Sequence, residues 1–152
     1  MSHWVTPPAA LEAARTEMPG RDPQPLPYLA VGEQAGLDIA VEVVLNGSVV
    51  SRPPYASMYW SPAQMLAHTT VNGASVRTGD LWGSGTISGS EPDQRGSFLE
   101  LSWGGKEPFL LDGVERTFVE DGDVVTLRYT ARGTSGGTIT LGEVTGRILP
   151  AT

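Results

Sequence analysis

The sequence predicts a β-rich α+β fold, arranged as a mixed β-roll with one or two short helices. The 152 residues include 19 Gly and 12 Pro, which favours many turns and short strands over long helices. Several runs alternate apolar and polar residues with the period of half-buried strands. Two of these runs are separated by Asn46–Gly47, a strong hairpin signal. A chain of this length can bury one core, so we expect residues 1–152 to form a single domain.

The first predicted element is a short helix near the start of the chain. Thr6 can cap it, Pro7 suits its first turn, and the alanines that follow favour a helical interior. Pro19–Gly20 should end it. The prolines within residues 21–29 then predict an extended, polyproline-like segment that crosses the surface. This segment could be an interdomain linker, although the helix before it is small for a domain.

The next predicted element is a half-buried strand over residues 37–45. One side of this strand is apolar and consists of Leu37, Ile39, Val41 and Val43. Asn46–Gly47 should form the turn of a hairpin, because this pair readily adopts the positive φ angles that tight hairpin turns require. Residues 48–51 begin the return strand.

A second short helix is predicted after residue 60. Ser61 can cap it, Pro62 suits its first position, and Asn72–Gly73 should end it. His68 lies in this helix and could serve as a general base. A histidine without a visible partner is more often structural or exposed, so both interpretations stay open.

Short strands are predicted through most of the second half of the chain. Val124 to Ala131 and Thr138 to Leu149 alternate clearly, and two shorter strands should lie on either side of Asp112–Gly113, at residues 109–111 and 117–119. Gly142 and Gly146 lie within the last run, which indicates bulges or sharp bends. Residues 120–123 (Glu-Asp-Gly-Asp) resemble a calcium loop. They lack the ligand spacing and the closing glutamate of an EF-hand, which favours a hairpin turn.

Composition excludes several classes of function. The net charge of −7 and the absence of a basic stripe argue against a nucleic-acid partner. No cysteine is present, which excludes disulfides and thiolate chemistry and is compatible with a reducing cytoplasm. We find neither a signal-peptide pattern nor a run of about 18 apolar residues that could span a bilayer. We therefore expect a soluble, cytoplasmic protein without a membrane partner.

The best candidate site lies between two predicted strands, at residues 80–84 and 98–103. The intervening loop contains the segment 85–89 (Gly-Thr-Ile-Ser-Gly), which places the hydroxyls of Thr86 and Ser88 between glycines. Glycine permits positive φ and a close approach of backbone N–H groups to a ligand, so this loop suits a carboxylate or phosphate oxygen. The alternative is that the segment is only a turn.

Glu100 is the second candidate in this stretch. In a strand over residues 98–103, it would share a face with Phe98 and Ser102, and the opposite face would carry Leu99, Leu101 and Trp103. A charge among large apolar groups is normally paired. Such a glutamate could equally be exposed or belong to a structural ion pair, so the position by itself does not indicate an enzyme.

The same stretch resembles the C-terminal part of the fumarylacetoacetase family. The resemblance rests on SGTISG at residues 84–89 and LELSW at residues 99–103. It extends through further segments in the same order: DPQPLPYL (22–29), MYW (58–60), HTTVNG (68–73), RTGDL (77–81), DGD (121–123) and ILPA (148–151). Keto-acid hydratases and decarboxylases of the wider superfamily carry GTP-type sequences at the first loop, so its TISG sequence favours this family.

The resemblance implies a fold, a reaction and two site residues. The fold is the β-roll of the family's C-terminal domain. The reaction is hydrolysis of a carbon–carbon bond in fumarylacetoacetate, giving fumarate and acetoacetate, at the last step of tyrosine and phenylalanine breakdown. Thr86 corresponds to the threonine that contacts the substrate, and Glu100 to the glutamate that orients the catalytic histidine. The family also implies Mg²⁺ or Ca²⁺ as cofactor and a homodimer.

Other residues that the family mechanism requires do not match positions in this chain. These are the histidine that activates water, the metal-binding carboxylates, and the lysine, arginine, tyrosine and glutamine of the active site. His3, His68, Glu12 and Glu33 lie outside the corresponding motifs. We therefore expect a partial domain that binds no metal through identifiable ligands of its own and that depends on an N-terminal portion or on a homo-oligomer. The alternative is a non-catalytic β-domain, or an inactive homologue, that binds a small carboxylic acid or a partner chain.

Overall fold

The computed structural model describes residues 1–151 and confirms a β-rich α+β fold with open sheets and short helices. Its α-helices are α1 (Pro62–Thr70) and α2 (Phe98–Leu101). Its 3₁₀ turns are Pro8–Ala14, Pro27–Leu29, Tyr55–Ser57 and Pro92–Gln94. Its strands are β1 (Arg15–Thr16), β2 (Gly36–Leu37), β3 (Ile39–Leu45), β4 (Ser48–Ser51), β5 (Phe109–Leu111), β6 (Val114–Arg116), β7 (Val124–Arg132), β8 (Thr138–Thr140) and β9 (Val144–Arg147). No described helix is long and apolar enough to cross a membrane.

Five strands form the main sheet, and β7 is its central member. One edge of β7 pairs with β3 over seven residues, from Ile39 opposite Ala131 to Leu45 opposite Val125. On the other edge, the first half of β7 pairs with β9 and the second half of β7 pairs with β8. Strand β4 lies beyond β3, and all of these pairs are antiparallel. Two further ladders, β1 with β2 and β5 with β6, contain two strands each.

The predicted hairpin around Asn46–Gly47 is confirmed. Asn46 has φ of 52° and Gly47 has φ of 94°, the left-handed backbone that this turn requires. The register shifts by one residue between the pairs Val43–Ser51 and Val44–Val49, so Val50 is the extra residue of a β-bulge. The bulge places Ser51 in the interior, where it is 2% exposed.

The predicted bend at Gly142 is confirmed as well. Strands β8 and β9 run along the same edge of β7, but their registers differ by one residue on either side of Gly142. Gly142 has φ of 85°, and a Cβ atom there would lie 2.4 Å from Ser2 Oγ. Both the backbone conformation and the nearby Ser2 side chain therefore favour glycine at this position.

The core lies between the inner face of the main sheet and the first 3₁₀ turn. Ala14 packs in one buried cluster with Ile39, Val41 and Ala131. Val44 and Leu45 are 2% and 0% exposed at the end of β3. Many large apolar side chains remain on the surface of the described residues, among them Leu81 at 76% and Leu99 at 64% exposure.

Helix α1 begins as predicted, at the cap Ser61. Ser61 Oγ accepts a hydrogen bond from Gln64 N at 3.3 Å, and Gln64 Oε1 accepts one from Ser61 N at 3.0 Å. This reciprocal pair is a capping box. Gln64 is buried, and its Nε2 donates to the carbonyl of Leu29 at 2.7 Å. The contact joins the helix to the proline-rich segment, whose end forms a 3₁₀ turn instead of continuing the predicted extended course.

Three other predictions are wrong in detail. The first helix is a 3₁₀ turn that begins after Pro7, and Thr6 does not cap it. Residues 117–119 form no strand, because Asp112–Gly113 is a two-residue turn that pairs β5 directly with residues 114–116. Residues 80–84 also form no strand, since none of the described strands pairs with them.

Candidate functional site

The candidate site is a loop of residues 85–100, which we call the site loop. It begins at Gly85, whose φ is 77°, and ends in helix α2. Ser51 Oγ donates its proton to the backbone carbonyl of Arg95 at 2.6 Å and lies 3.1 Å from the carbonyl oxygen of Asp93. Arg52 N donates to the carbonyl of Asp93 at 2.7 Å. The loop is therefore joined to the end of β4 in the main sheet.

Glu100 lies in helix α2, so the predicted strand over residues 98–103 is wrong. Ser97 has an extended backbone, and its Oγ accepts a hydrogen bond from Glu100 N at 3.2 Å. This cap starts a helical turn, which Leu101 N continues by donating to Ser97 O at 2.8 Å. The expected alternation of two strand faces is therefore replaced by helical positions, with Leu101 buried and Leu99 exposed.

The Glu100 carboxylate is half-buried and receives two side-chain hydrogen bonds. Ser88 Oγ donates to Oε2 at 2.6 Å, and Ser97 Oγ donates to the same oxygen at 3.3 Å. Oε1 accepts no hydrogen bond within the described residues. The predicted pairing is thus to hydroxyl groups, and among the described residues no cation forms an ion pair with this carboxylate.

Glycine at position 96 permits the close approach that closes the site loop. A Cβ atom on Gly96 would lie 1.8 Å from the carbonyl oxygen of Ile87 and 3.0 Å from Thr86 Cγ2. At the same place Gly96 N donates to Ser88 Oγ at 3.1 Å. The two ends of the loop are therefore in direct contact, which brings the segment that contains Thr86 next to the segment that leads to Glu100.

Thr86 is exposed, and its hydroxyl makes no hydrogen bond within the described residues. It therefore keeps both its donor and its acceptor capacity for a ligand. Ser88, which we grouped with Thr86 as a second ligand-binding hydroxyl, is different. Its hydroxyl is directed into the loop, where it bonds to Gly96 and to Glu100.

Arg95 is a charged neighbour of Glu100 that the sequence analysis missed. Its Nη1 donates to the carbonyl of Glu100 at 3.1 Å, and the same atom lies 3.6 Å from Glu107 Oε2. The guanidinium also lies over the ring of Trp103, 5.4 Å from the ring centre. These contacts hold the C-terminal end of the short helix in place. No pattern in the sequence connects Arg95 with Glu107.

The other polar candidates lie apart from this loop. His68 is exposed, and its Nδ1 lies 3.2 Å from the Tyr28 hydroxyl. Asp123 is buried and belongs to a turn, where its carboxylate accepts hydrogen bonds from Asn46 Nδ2, Glu120 N and Arg116. The hydrogen bond from Asn46 Nδ2, followed by those from Glu120 N and Arg116, lowers the pKa of Asp123. Residues 120–123 do form a turn, but the predicted hairpin is wrong, because β6 and β7 on its two sides pair with other strands and not with each other.

Residues that could hold a divalent cation do not converge in this part of the protein. Within residues 1–151 no three His, Asp or Glu side chains are grouped so that they could hold a metal ion. The Glu100 carboxylate is occupied on one oxygen by two serine hydroxyls. The described residues thus do not fit the metal site that the family resemblance implies.

Comparison with known proteins agrees with the resemblance seen in the sequence. A family model described as "Fumarylacetoacetate (FAA) hydrolase C-terminal" matches residues 1–148. The chain is 44% identical to a fumarylacetoacetase of Arabidopsis thaliana over 157 residues, which cover 99% of this chain and 37% of that protein. It is 42% identical to a human fumarylacetoacetase over 158 residues, which cover 99% of this chain and 38% of that protein.

A third relative matches to the same extent. A fumarylacetoacetase of Dictyostelium discoideum is 41% identical over 160 residues, which cover 99% of this chain and 37% of that protein. The chain therefore spans less than two fifths of the length of these relatives. Because the family model covers nearly all of it, the chain belongs to the fumarylacetoacetate hydrolase family, a family of hydrolases, and corresponds to its C-terminal portion.

Proposed function

We propose that this chain contributes the site loop to a fumarylacetoacetase, which hydrolyses fumarylacetoacetate to fumarate and acetoacetate. The observation that supports this most strongly is the arrangement of the Glu100 carboxylate, which is half-buried and has one oxygen bound by two serine hydroxyls. The other oxygen accepts no hydrogen bond within the described residues. A carboxylate with one free oxygen can accept a hydrogen bond from the N–H group of an imidazole.

In the proposed reaction Glu100 acts on a histidine that lies outside this chain. A carboxylate that accepts a hydrogen bond from one ring nitrogen fixes the tautomer and the orientation of the imidazole. The other ring nitrogen can then take a proton from the attacking water. His68 does not fill this role here, because it lies beside Tyr28 and is not in contact with the site loop.

Thr86 is the proposed substrate contact. Its side chain is exposed at the point where the two ends of the site loop meet. Its hydroxyl can donate to a carboxylate or carbonyl oxygen of fumarylacetoacetate. Gly85 before it has φ of 77°, a conformation that side-chain-bearing residues rarely adopt.

The described residues contain no group of three or more His, Asp or Glu side chains that could hold Mg²⁺ or Ca²⁺ by themselves. We therefore assign no step to a metal here. The cytoplasmic location and the homodimer are part of the same proposal and rest on the family resemblance alone.

A chimera tests the proposed function. In the Arabidopsis fumarylacetoacetase, the aligned C-terminal portion is replaced by this chain, and loss of the ultraviolet absorbance of fumarylacetoacetate is followed over time. We expect turnover above that of either part alone. A chimera that unfolds cooperatively on heating but does not turn over the substrate would contradict the proposal and would favour a non-catalytic binding domain. If the chimera is insoluble, this chain is co-produced with the remaining part of the relative, and the same two outcomes apply.

Substitution of Thr86 tests its role within the chimera. Thr86→Val removes the hydroxyl and keeps the shape of the side chain, so we expect the Michaelis constant to rise about 5- to 10-fold, the loss expected for one hydrogen bond to substrate. Thr138→Val is the matched control, because Thr138 is exposed on β8, away from the site loop. An unchanged Michaelis constant for Thr86→Val would remove Thr86 from the site.

A further inference from the structure

We infer that Ser88 is a positioning residue for Glu100, which deepens the function proposed above and rests on it. Ser88 lies two residues after Thr86 in the same glycine-bounded segment. Its hydroxyl makes the shortest hydrogen bond to the Glu100 carboxylate, 2.6 Å from Oγ to Oε2. It therefore connects the substrate-contacting segment directly with the carboxylate that orients the histidine.

The hydroxyl of Ser88 has a fixed direction. Gly96 N donates to Ser88 Oγ at 3.1 Å, and that oxygen in turn donates its single proton to Glu100. A hydroxyl that accepts one hydrogen bond and donates another cannot rotate without breaking one of them. Oε2 of Glu100 is thereby held in one place, and its other oxygen, Oε1, is left for a partner.

The second hydroxyl on Oε2 cannot replace this arrangement. Ser97 Oγ lies 3.3 Å from Oε2, and it already accepts the hydrogen bond from Glu100 N that caps helix α2. Ser97 is the cap of the helix that contains Glu100, whereas Ser88 lies near the other end of the site loop. Ser88 therefore fixes the carboxylate relative to Thr86, and Ser97 fixes it only relative to its own helix.

Backbone contacts also hold the segment that contains Ser88 in place. Gly89 N donates to the carbonyl of Gln94 at 3.0 Å, next to the contact between Gly96 and Ile87. The Ser88 carbonyl also lies 3.4 Å from Ser57 Oγ, whose proton is donated to the carbonyl of Pro54 at 2.7 Å, so the segment is in contact with the turn after β4. Removal of the hydroxyl should therefore free the carboxylate more than it changes the loop.

The experiment is a double-mutant cycle in the active chimera, using Ser88→Ala, Glu100→Gln and the pair together. We expect Ser88→Ala to lower kcat about 10- to 100-fold, the loss that corresponds to one hydrogen bond to a charged group, while the Michaelis constant changes less than about twofold. In the Glu100→Gln background, Ser88→Ala should change kcat less than about twofold, because Ser88 acts through the carboxylate. Ser88→Thr retains a hydroxyl and should restore most of the rate.

Ser90→Ala is the matched control, because Ser90 is exposed and its hydroxyl reaches only Glu91, at 3.2 Å. The inference is overturned if Ser88→Ala leaves kcat unchanged. It is also overturned if Ser88→Ala lowers kcat by the same factor in the unsubstituted chimera and in the Glu100→Gln chimera. The proposed function fails separately, if Glu100→Gln alone has no effect. If the Ser88→Ala chimera melts at a much lower temperature than the unsubstituted chimera, the double-mutant cycle is repeated at the aligned residues of the natural Arabidopsis fumarylacetoacetase. The same changes in kcat then support or overturn the inference.

Discussion

The main sheet and the site loop are stabilised by different kinds of contact. Strands β3 and β7 pair over seven consecutive residues and bury aliphatic side chains such as Leu45. The site loop contains only a 3₁₀ turn and a four-residue helix, and it is held by serine hydroxyls and by the close approach of Gly96 to Ile87. Changes in the sheet should therefore affect stability first, and changes in the loop should affect catalysis first.

The largest expected effect on stability is in the sheet. Leu45→Ala removes a fully buried side chain at the end of β3, and we expect the free energy of unfolding to fall by about 2–5 kcal/mol. Urea denaturation measures this change. Leu110→Ala is the control, because Leu110 is 70% exposed on β5 and should cost less than about 0.5 kcal/mol. Equal losses in the two variants would mean that the core is not where we place it.

The next largest expected effect is a loss of stability in acid, caused by Asp123, just before β7. Hydrogen bonds from Asn46, Glu120 N and Arg116 lower the pKa of Asp123 below its ordinary 3.8 in the folded protein. The stabilisation is therefore complete above the unfolded pKa and is lost as the pH falls through the folded pKa. Hydrogen bonds to a charged group contribute about 1.5–3 kcal/mol.

Asp123→Asn tests this pH dependence. The variant should be less stable than the parent near neutral pH, and the difference should be smaller at a pH below the ordinary pKa of 3.8, where the unfolded chain binds a proton that the folded carboxylate resists. Chemical denaturation at both pH values measures the two differences. A difference that stays the same at both values would contradict the assignment of this titration to Asp123.

A smaller loss of stability, with a large loss of activity, is expected at the base of the site loop. Gly96→Ala places a Cβ atom against the carbonyl of Ile87, so the two ends of the loop must separate. We expect a cost of about 1–3 kcal/mol and a fall in kcat of the chimera, because Thr86 and Glu100 no longer keep their relative positions. Gly20→Ala is the control, because a Cβ atom at Gly20 would have no atom within 4 Å. Gly47 is unsuitable as a control, because its φ is positive. Full activity in Gly96→Ala would show that the closed loop is not required.

The smallest effect is expected at the cap of helix α2. Ser97→Ala removes the hydroxyl that accepts a hydrogen bond from Glu100 N, and we expect a loss of about 1 kcal/mol. Ser97→Thr keeps a hydroxyl that can both cap the helix and donate to Glu100 Oε2, so it should restore stability. Thermal unfolding of the three proteins provides the comparison. If the Ala and Thr variants are equally stable, Ser97 does not determine the start of the helix.

The main sheet could be predicted because its signals are local. Asn46–Gly47 specifies a hairpin by itself, and the alternation in residues 37–45 and 124–131 marks strands whose faces differ in polarity. Gly142 indicated a bend that the structure shows as a register shift between β8 and β9. The one-residue bulge at Val50 was not predicted, because a bulge depends on how the two strands pair and not on either strand alone.

The sequence indicates Thr86 and Glu100 as candidate residues, but it does not indicate the structure around Glu100. Its alternating apolar residues predict a strand, and over so short a segment the same pattern also suits the helical turn that residues 98–101 form. Ser97 followed three residues later by Glu100 is a capping-box signature that would have indicated the helix. The hydrogen bond between Ser88 and Glu100 joins residues twelve positions apart across an irregular loop, and no sequence pattern predicts such a contact.

The measurement that tests the central claim most directly is the turnover number of Glu100→Gln in the chimera, compared with that of Glu115→Gln. Glutamine can still accept hydrogen bonds from Ser88 and Ser97 but carries no charge, so the fold should be retained. We expect kcat to fall by about 10²- to 10⁴-fold for Glu100→Gln. For Glu115→Gln, exposed on β6, kcat should be unchanged. Equal turnover by the two variants would contradict the assignment of Glu100 to the reaction.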